Sequence, residues 1–413
     1  MIRKLIIAPV LLLILTAPAP ASALPPEETV LDAINASPRV AAAQAEVERA
    51  SAAAKRLRVG EYEVVLSGGG GRRNVDYPGT SAADYTEWNA GLSRTVRLPG
   101  KRRADKDLAS LEIELADAGL ARTRMEALLE FASLWTEWRR AAEGAQTAQR
   151  LAEEARNLAG SETAAVKLGA SRKIFVDQLR AEADLLLLNA TRAEIDAQNA
   201  RGAIAAAFPA LQLPATPAPL DWNKLRIASL MAAPPPENPS LREARLALDQ
   251  QEAKARRARL DRLPDPTLGV HVTNEFGGAE TSVLATLSVP LGARARSASA
   301  AEAGSMASAS AAKMKAAEYE AARREEQALR DVRSASLNLA NAESAVQLAR
   351  DALNRLQKGY AMGAVNLGDL TSTRRTLTET EKALVDYRVG AERAYLILAI
   401  LHGQFGMGER DGV

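Results

Sequence analysis

Two corners decide this chain: Arg97-Leu98-Pro99-Gly100-Lys101-Arg102 and Val289-Pro290-Leu291-Gly292-Ala293-Arg294. Each opens a long stretch free of proline, residues 100–208 in the first case and 291–413 in the second. Proline removes a helix donor and clashes with the preceding turn, so its absence over such lengths permits very long helices. Each corner also follows short segments whose apolar residues alternate, the period of a strand. The corners lie about 192 residues apart, so one structural unit is written twice: two strands, then long helices.

Outward from the corners, the first repeat spans 24–207. A helix over 27–58 is interrupted at Pro38, and strands are expected at about 61–73 and 87–98, separated by a glycine run and a polar loop. In the second strand Trp88, Ala90, Leu92 and Val96 share a parity against Asn89, Gly91, Ser93 and Thr95. The second repeat, 237–406, opens at Asn238-Pro239. Its strands are expected at about 267–276 and 281–290. Leu268, Val270 and Val272 oppose Thr267, Gly269, His271 and Thr273, and Gly277-Gly278 makes the turn. One apolar face and one face of small polar residues is the dyad pattern of a membrane barrel strand. A half-buried hairpin of a soluble sheet has the same pattern, so the strands alone leave both open.

The helices decide more. Val332, Ala335, Leu339, Ala342, Val346, Ala349, Leu353 and Leu356 keep an unbroken 3-4 spacing, which is a coiled-coil seam. From Gly292 to about Gln357 a helix would run roughly 95 Å at 1.5 Å per residue. It must pack against other long helices. Leu111, Leu115, Ala118, Met125, Leu129 and Ala132 repeat the register in the first half. Helical hairpins are therefore expected over about 101–206 and 293–403, with tips near 169 and 363. Residues 208–236 form a proline-rich connector, and 407–413 a tail.

Bulk properties narrow the function. Arg3 and Lys4, the apolar run Leu5–Leu15 and Ala21-Ser22-Ala23 form a signal peptide over 1–23, too short and too soon broken by proline to span a bilayer. The chain has 53 basic and 51 acidic residues; loss of Arg3 and Lys4 makes the counts equal, and nucleic acid is not an expected partner. There is no cysteine, which removes disulfides, thiolate metal sites, cysteine nucleophiles and an N-terminal lipid anchor. His271 and His402 are the only histidines and lie in different elements, so no metal site and no cofactor is expected. No motif for catalysis is present, and the chain reads as a non-enzyme. Arg102-Arg103 and Arg323-Arg324 read as solvated helix faces; Trp88 and Tyr62 fit either a membrane interface or core packing.

Four strands in one exported chain pose a physical problem. An open sheet in hydrocarbon leaves edge N–H and C=O groups unpaired, and four strands cannot close around a useful lumen. Several copies can. This organisation resembles the TolC family of outer-membrane efflux factors over about Glu27 to Gly406. The resemblance is carried by the duplicated order, the helix starts Asn35…Pro38 and Asn238-Pro239, the strand-to-helix corners (Pro99, Gly100, Pro290, Gly292) and the Gly-Ala tips. The Arg97–Arg102 corner is similar to that of the heavy-metal (cobalt-zinc-cadmium type) efflux branch. The resemblance implies a mainly α channel-tunnel with four strands per chain in a shared twelve-stranded barrel of a homotrimer. It implies a seat in the outer membrane of a Gram-negative bacterium. It further implies docking on a periplasmic adaptor (membrane fusion) protein and an inner-membrane pump of the resistance-nodulation-division type. A periplasmic coiled-coil adaptor or scaffold is the alternative, disfavoured by two hairpins each with its own strand pair.

The resemblance also points to residues. Tips for adaptor contact are Leu168, Gly169 and Ala170, and Met362, Gly363 and Ala364. At the periplasmic entrance Asp369 matches a constriction aspartate and Tyr360 a tyrosine that holds the entrance shut. The chain departs from the family where Phe175, with Asp177 two residues on, replaces the partner position and Ser372 replaces a second acid. A closing hydrogen bond from Tyr360 to the first repeat is thus in doubt. Asp369 reads equally as a carboxylate ring in the pore and as a helix-start aspartate favoured by the dipole.

Overall fold

The duplication is visible in element lengths. The computed structural model describes residues 24–76, 78–79, 81–169, 172–222, 225 and 227–405. The expected signal peptide, the tail and the tip residue Ala170 lie outside them. In the first half, α1 (Glu27–Asn35) and α2 (Pro38–Val59) lead to β1 (Val64–Val75) and β2 (Ala83–Thr95), then α3 (Pro99–Lys167) and α4 (Lys173–Ala207). After the short α5 (Ile227–Ala232), the second half runs α6 (Pro239–Leu260), β3 (Thr267–Glu275), β4 (Glu280–Ser288), α7 (Ala293–Ala361) and α8 (Leu367–Leu401). Helices α2 and α6 each have 22 residues, α3 and α7 each 69, α4 and α8 each 35. Equal lengths in all three helix pairs are what a duplicated unit leaves behind; the strands differ, 12 and 13 residues in the first half against 9 and 9 in the second.

The chain divides into two spatial units, each drawing on both repeats. The sheet unit comprises Pro38–Glu126 and Pro235–Glu326. It holds α2, α6, all four strands and the first parts of α3 and α7. The hairpin unit takes Ala127–Pro234 and Gln327 onward, with α1.

In the sheet unit the strands pair antiparallel in the order β1-β2-β3-β4. Gly68 to Gly71, inside the expected strand at about 61–73, form the middle of β1, with Gly68 opposite Ala90 and Gly71 opposite Glu87. Glycine is a poor strand former in isolation, but a partner on β2 satisfies its backbone. The loop is correspondingly shorter than expected, and β2 starts at Ala83 and ends at Thr95 instead of running over 87–98. Pro264 and Pro266 stop α6 from continuing into β3, as proline should.

In the hairpin unit the seam forms. Val332, Leu339, Ala342, Val346, Ala349 and Leu353 are buried along α7. Their lower part meets Ala159 of α3, Leu179 of α4 and Leu367, Leu370 and Leu377 of α8 in one apolar cluster. Each fully buried leucine or valine there stabilises by about 2 kcal/mol. Alanines at Ala148, Ala152 and Ala190 join α3 to α4 higher up. A second core is aromatic. Phe131 lies 5.8 Å from Trp135 and edge-on to Phe208 and Phe405, and Trp135 packs edge-on to Trp138. Phe208 opens the proline-rich connector, so this contact pins the connector's first residues.

Candidate functional site

Three features could carry function: the two faces of the sheet, the strand-to-helix corners and the hairpin ends. The register sorts the sheet residues. Leu92 stands opposite Leu66 on one side and Val270 on the other, and Val270 stands opposite Ala285. One face therefore collects Leu66, Trp88, Ala90, Leu92, Leu268, Val270, Val272, Val283 and Leu287, of which Leu66, Trp88, Leu92, Leu268, Val270, Val283 and Leu287 are exposed. Trp88 sits mid-strand between Gly70 and Asn274, not at a strand end. The opposite face carries Ser67, Asn89, Gly91, Ser93, Thr95, Thr267, Gly269, His271, Thr273, Ser282 and Thr286, with two exposed apolar residues, Val65 and Leu284, among them. Thr95 bonds Thr267 at 2.8 Å and Thr273 bonds Ser282 at 2.5 Å. The His271 imidazole lies over Gly91, where a Cβ would collide with the ring and with the Ser67 hydroxyl. Gly91 is thus a close-approach glycine, required by its neighbour's side chain.

An exposed apolar face on an antiparallel sheet is a large liability in water and the normal state in lipid. No helix among the described residues is long and apolar enough to cross a membrane. That statement does not bear on strands.

The two corners, alike in sequence, differ in bonding. At the first, the buried Asp265 carboxylate accepts from Leu98 N at 3.1 Å, from Lys101 Nζ at 3.1 Å and from the Tyr62 hydroxyl at 2.8 Å. Burial opposes ionisation, but these donors together hold its pKa below the usual aspartate value. Beside it, buried Asp105 receives Arg97 Nη1 at 2.6 Å and Arg257 Nε at 2.6 Å, while Arg97 also donates to Leu57 O at 3.1 Å. Tyr62 is therefore a corner residue. At the second corner the ties are long: Arg296 donates to Pro290 O at 3.4 Å and to Arg262 O at 3.3 Å. Leu291 is 93% exposed there. Sequence reading found both corners but missed Asp105 and Asp265, which join the first corner to Arg257 and Tyr62, each more than 150 residues away in sequence.

The hairpin ends are built alike. Gly169 and Gly363 have φ of 72° and 73°, the left-handed conformation that glycine adopts without strain. Gly363 N donates to Tyr360 O and Ala364 N to Gly359 O, both at 2.9 Å, a complete Schellman cap. Gly169 N makes the matching bond to Val166 O at 3.0 Å. Leu168 and Met362, 84% and 77% exposed, stand just before these glycines. Helix α8 then starts with Asn366 as N-cap: its Oδ1 accepts from Asp369 N at 2.9 Å and its Nδ2 donates to Asp369 Oδ2 at 2.8 Å. Asp369 is exposed and so serves the helix start directly, whatever else it does. Asp177 and Ser372 are exposed, and Phe175 packs partly buried against the apolar cluster. The Tyr360 hydroxyl donates to Glu162 Oε1 of α3 at 3.0 Å. Tyr360 thus bonds a carboxylate of the first repeat, on α3, and Phe175 takes no part in that bond. Glu162 is buried, and nothing near it in sequence marked it.

His271 and His402 lie in different units. Buried His402 has no hydrogen-bond partner on either ring nitrogen.

A sheet that is apolar on one side and polar on the other, rooted by corners in long paired helices, belongs to the class of outer-membrane channel-tunnels. Solved structures bear this out in fold. VceC from Vibrio cholerae, an outer membrane protein, matches at 17% identity and TM-score 0.73, covering 92% of this chain and 96% of that one. The Campylobacter jejuni CmeC outer membrane channel matches at 14% identity and TM-score 0.73, covering 92% and 85%. CusC, whose structures concern transmembrane channel formation, matches at 14% identity and TM-score 0.76, covering 92% and 96%. No curated protein matches the chain. The model of the outer membrane efflux protein family matches residues 30–211 and 236–404, and the chain belongs to that family. Its role is that of the outer-membrane channel-tunnel of an efflux system.

Proposed function

We propose that three copies of this chain close one barrel, with the apolar face toward lipid and the polar face lining the exit duct. The observation that carries this reading is the sheet itself: β1 and β4 are terminal strands, and among the described residues nothing pairs with their outer edges. Edges left open in hydrocarbon cost several kcal/mol per unpaired group. Pairing β1 of one copy with β4 of the next removes them, and three copies give a twelve-stranded barrel. The absence of cysteine makes the test clean. Cysteine pairs placed on β1 and β4, for example at Ser67 and Leu284, should crosslink into dimers and trimers and no further. Monomers only, or ladders running past trimer, would refute closure by three.

The remaining parts of the reading follow the geometry outward. The exposed Leu168 and Met362 at the glycine-capped tips supply an apolar docking surface for a periplasmic adaptor, which joins the duct to an inner-membrane pump of the resistance-nodulation-division type. Tyr360, held by Glu162, keeps α7 against α3 and narrows the entrance, while Asp369, with Asp177 in the other repeat, presents negative charge to entering cations. The Arg97–Arg102 corner supports a place in the heavy-metal branch, with metal cations as cargo. A deletion strain that becomes sensitive to metal cations but not to dyes or antibiotics would support that cargo; the reverse pattern would refute it. The adaptor or scaffold alternative gains no support, since the family match spans both repeats.

A further inference from the structure

We propose that the cleft around Arg374, formed by α3, α7 and α8 within the hairpin unit, is a binding site for one small oxyanion of the phosphate type. Arg374 is 5% exposed, and its Nη1 is buried with no hydrogen-bond partner. A guanidinium in that position is costly unless an acceptor completes it. Burial is the leading influence on its pKa and pushes it below the ordinary arginine value, against the attraction of Glu182 and Glu154.

The cleft has a volume of about 540 Å³ and is lined by Arg374 together with Arg150, Arg350, Glu154 and Glu381. Both carboxylates are already committed. Glu381, 3% exposed at its side chain, receives Arg350 Nε at 3.0 Å and Nη2 at 2.8 Å on one oxygen and Arg150 on the other. Glu154 receives Arg150 Nη1 at 2.9 Å. Arg150, Arg350 and Arg374 are balanced in charge by Glu154, Glu381 and Glu182, so what is left over is not charge but the unsatisfied donor Nη1 of Arg374. The side-chain amides of Asn354 and Gln357 stand on the rim. A guanidinium fork with amide donors around it matches a tetrahedral or planar oxyanion and suits neither a cation nor an apolar molecule. The site would tie the second turn of α8 to α3 and α7. It is defined by one chain's own residues and does not depend on the efflux reading.

The test uses the full chain in detergent and inorganic phosphate as the probe, at ionic strength held constant with a non-coordinating salt. Titration calorimetry should give one phosphate per chain. Arg374→Met should weaken it about tenfold or more, the size of a lost charge-assisted bond. Arg355→Met, which removes an exposed charge outside the cleft, should leave it unchanged. Equal loss in both variants, or no phosphate binding by the wild type, would overturn the proposal. Should Arg374→Met not fold, hydrogen exchange of the wild type decides. Phosphate should slow exchange in Leu370–Leu377, and unchanged exchange there would overturn the site.

Discussion

Replacing Asp265 by alanine should unlock the first corner while its twin tolerates a comparable change. The carboxylate it removes accepts from Leu98 N and the Tyr62 hydroxyl, and it shares Lys101 with Asp261. Lys101 is itself buried at 3% side-chain exposure, whereas Asp261 is 44% exposed. Removing one partner of a buried ion pair costs about 3–5 kcal/mol. The orphaned Leu98 N and Tyr62 hydroxyl sit within that figure, because solvent reaches Tyr62. About 4 kcal/mol is the expected loss. Leu291→Ala at the second corner removes a side chain already in solvent and should cost under about 0.5 kcal/mol. Chemical unfolding of the detergent-solubilised protein, followed by tryptophan fluorescence, measures both. The pH dependence carries the same signature. Asp265 has a depressed pKa in the fold, so its contribution is present above its unfolded pKa and is lost as pH falls through the folded one. The wild type should therefore lose more stability than Asp265→Ala on acidification below about pH 4. A loss below about 1 kcal/mol for Asp265→Ala, or parity with Leu291→Ala, would refute the idea that this corner is the fixed joint.

Three further outcomes follow. Gly91→Ala should destabilise by about 1–3 kcal/mol through collision with His271, and His271→Ala in the same chain should restore most of it; a double-mutant cycle with no coupling would contradict that packing. Glu392 is pushed up to about 6 by burial, against Arg139 and Leu220 N. Its folded pKa exceeds the unfolded value, so its contribution is full below about pH 4.5 and falls by about 2 kcal/mol as pH rises through 6; Glu392→Gln should flatten this part of the stability profile. Asp369→Asn keeps the Asn366 cap but removes the charge, so bilayer conductance should lose cation preference with trimer stability within about 0.5 kcal/mol. An unchanged ion preference would leave Asp369 as a helix-start residue alone.

Local chemistry explains what the sequence made legible. The corners, the tip glycines and the α7 seam rest on rules acting within a few residues: proline and glycine backbone limits, and a 3-4 period. Strand parity was legible for the same reason, since alternate side chains face opposite sides of any sheet. The strand bounds were less legible, because four glycines at 68–71 carry no side-chain pattern and only partners on β2 fix where β1 starts and ends. Asp265, Asp105, Glu162 and Arg374 were missed together. Asp105 has one near partner, Arg97, eight residues away, but its Arg257 lies 152 residues off, Tyr62 lies 203 from Asp265 and Tyr360 198 from Glu162, separations at which no local pattern survives. The aromatic core of Phe131, Trp135 and Trp138 was hidden by a composition only 4% aromatic, which said nothing of where those few rings gather.

The most direct measurement is native mass spectrometry of the membrane-extracted protein combined with single-channel recording of the same preparation. The account predicts a trimer and uniform conductance steps in planar bilayers, both abolished by a charged substitution on the apolar face such as Val270→Lys. A monomer, or a trimer that never conducts, would contradict it.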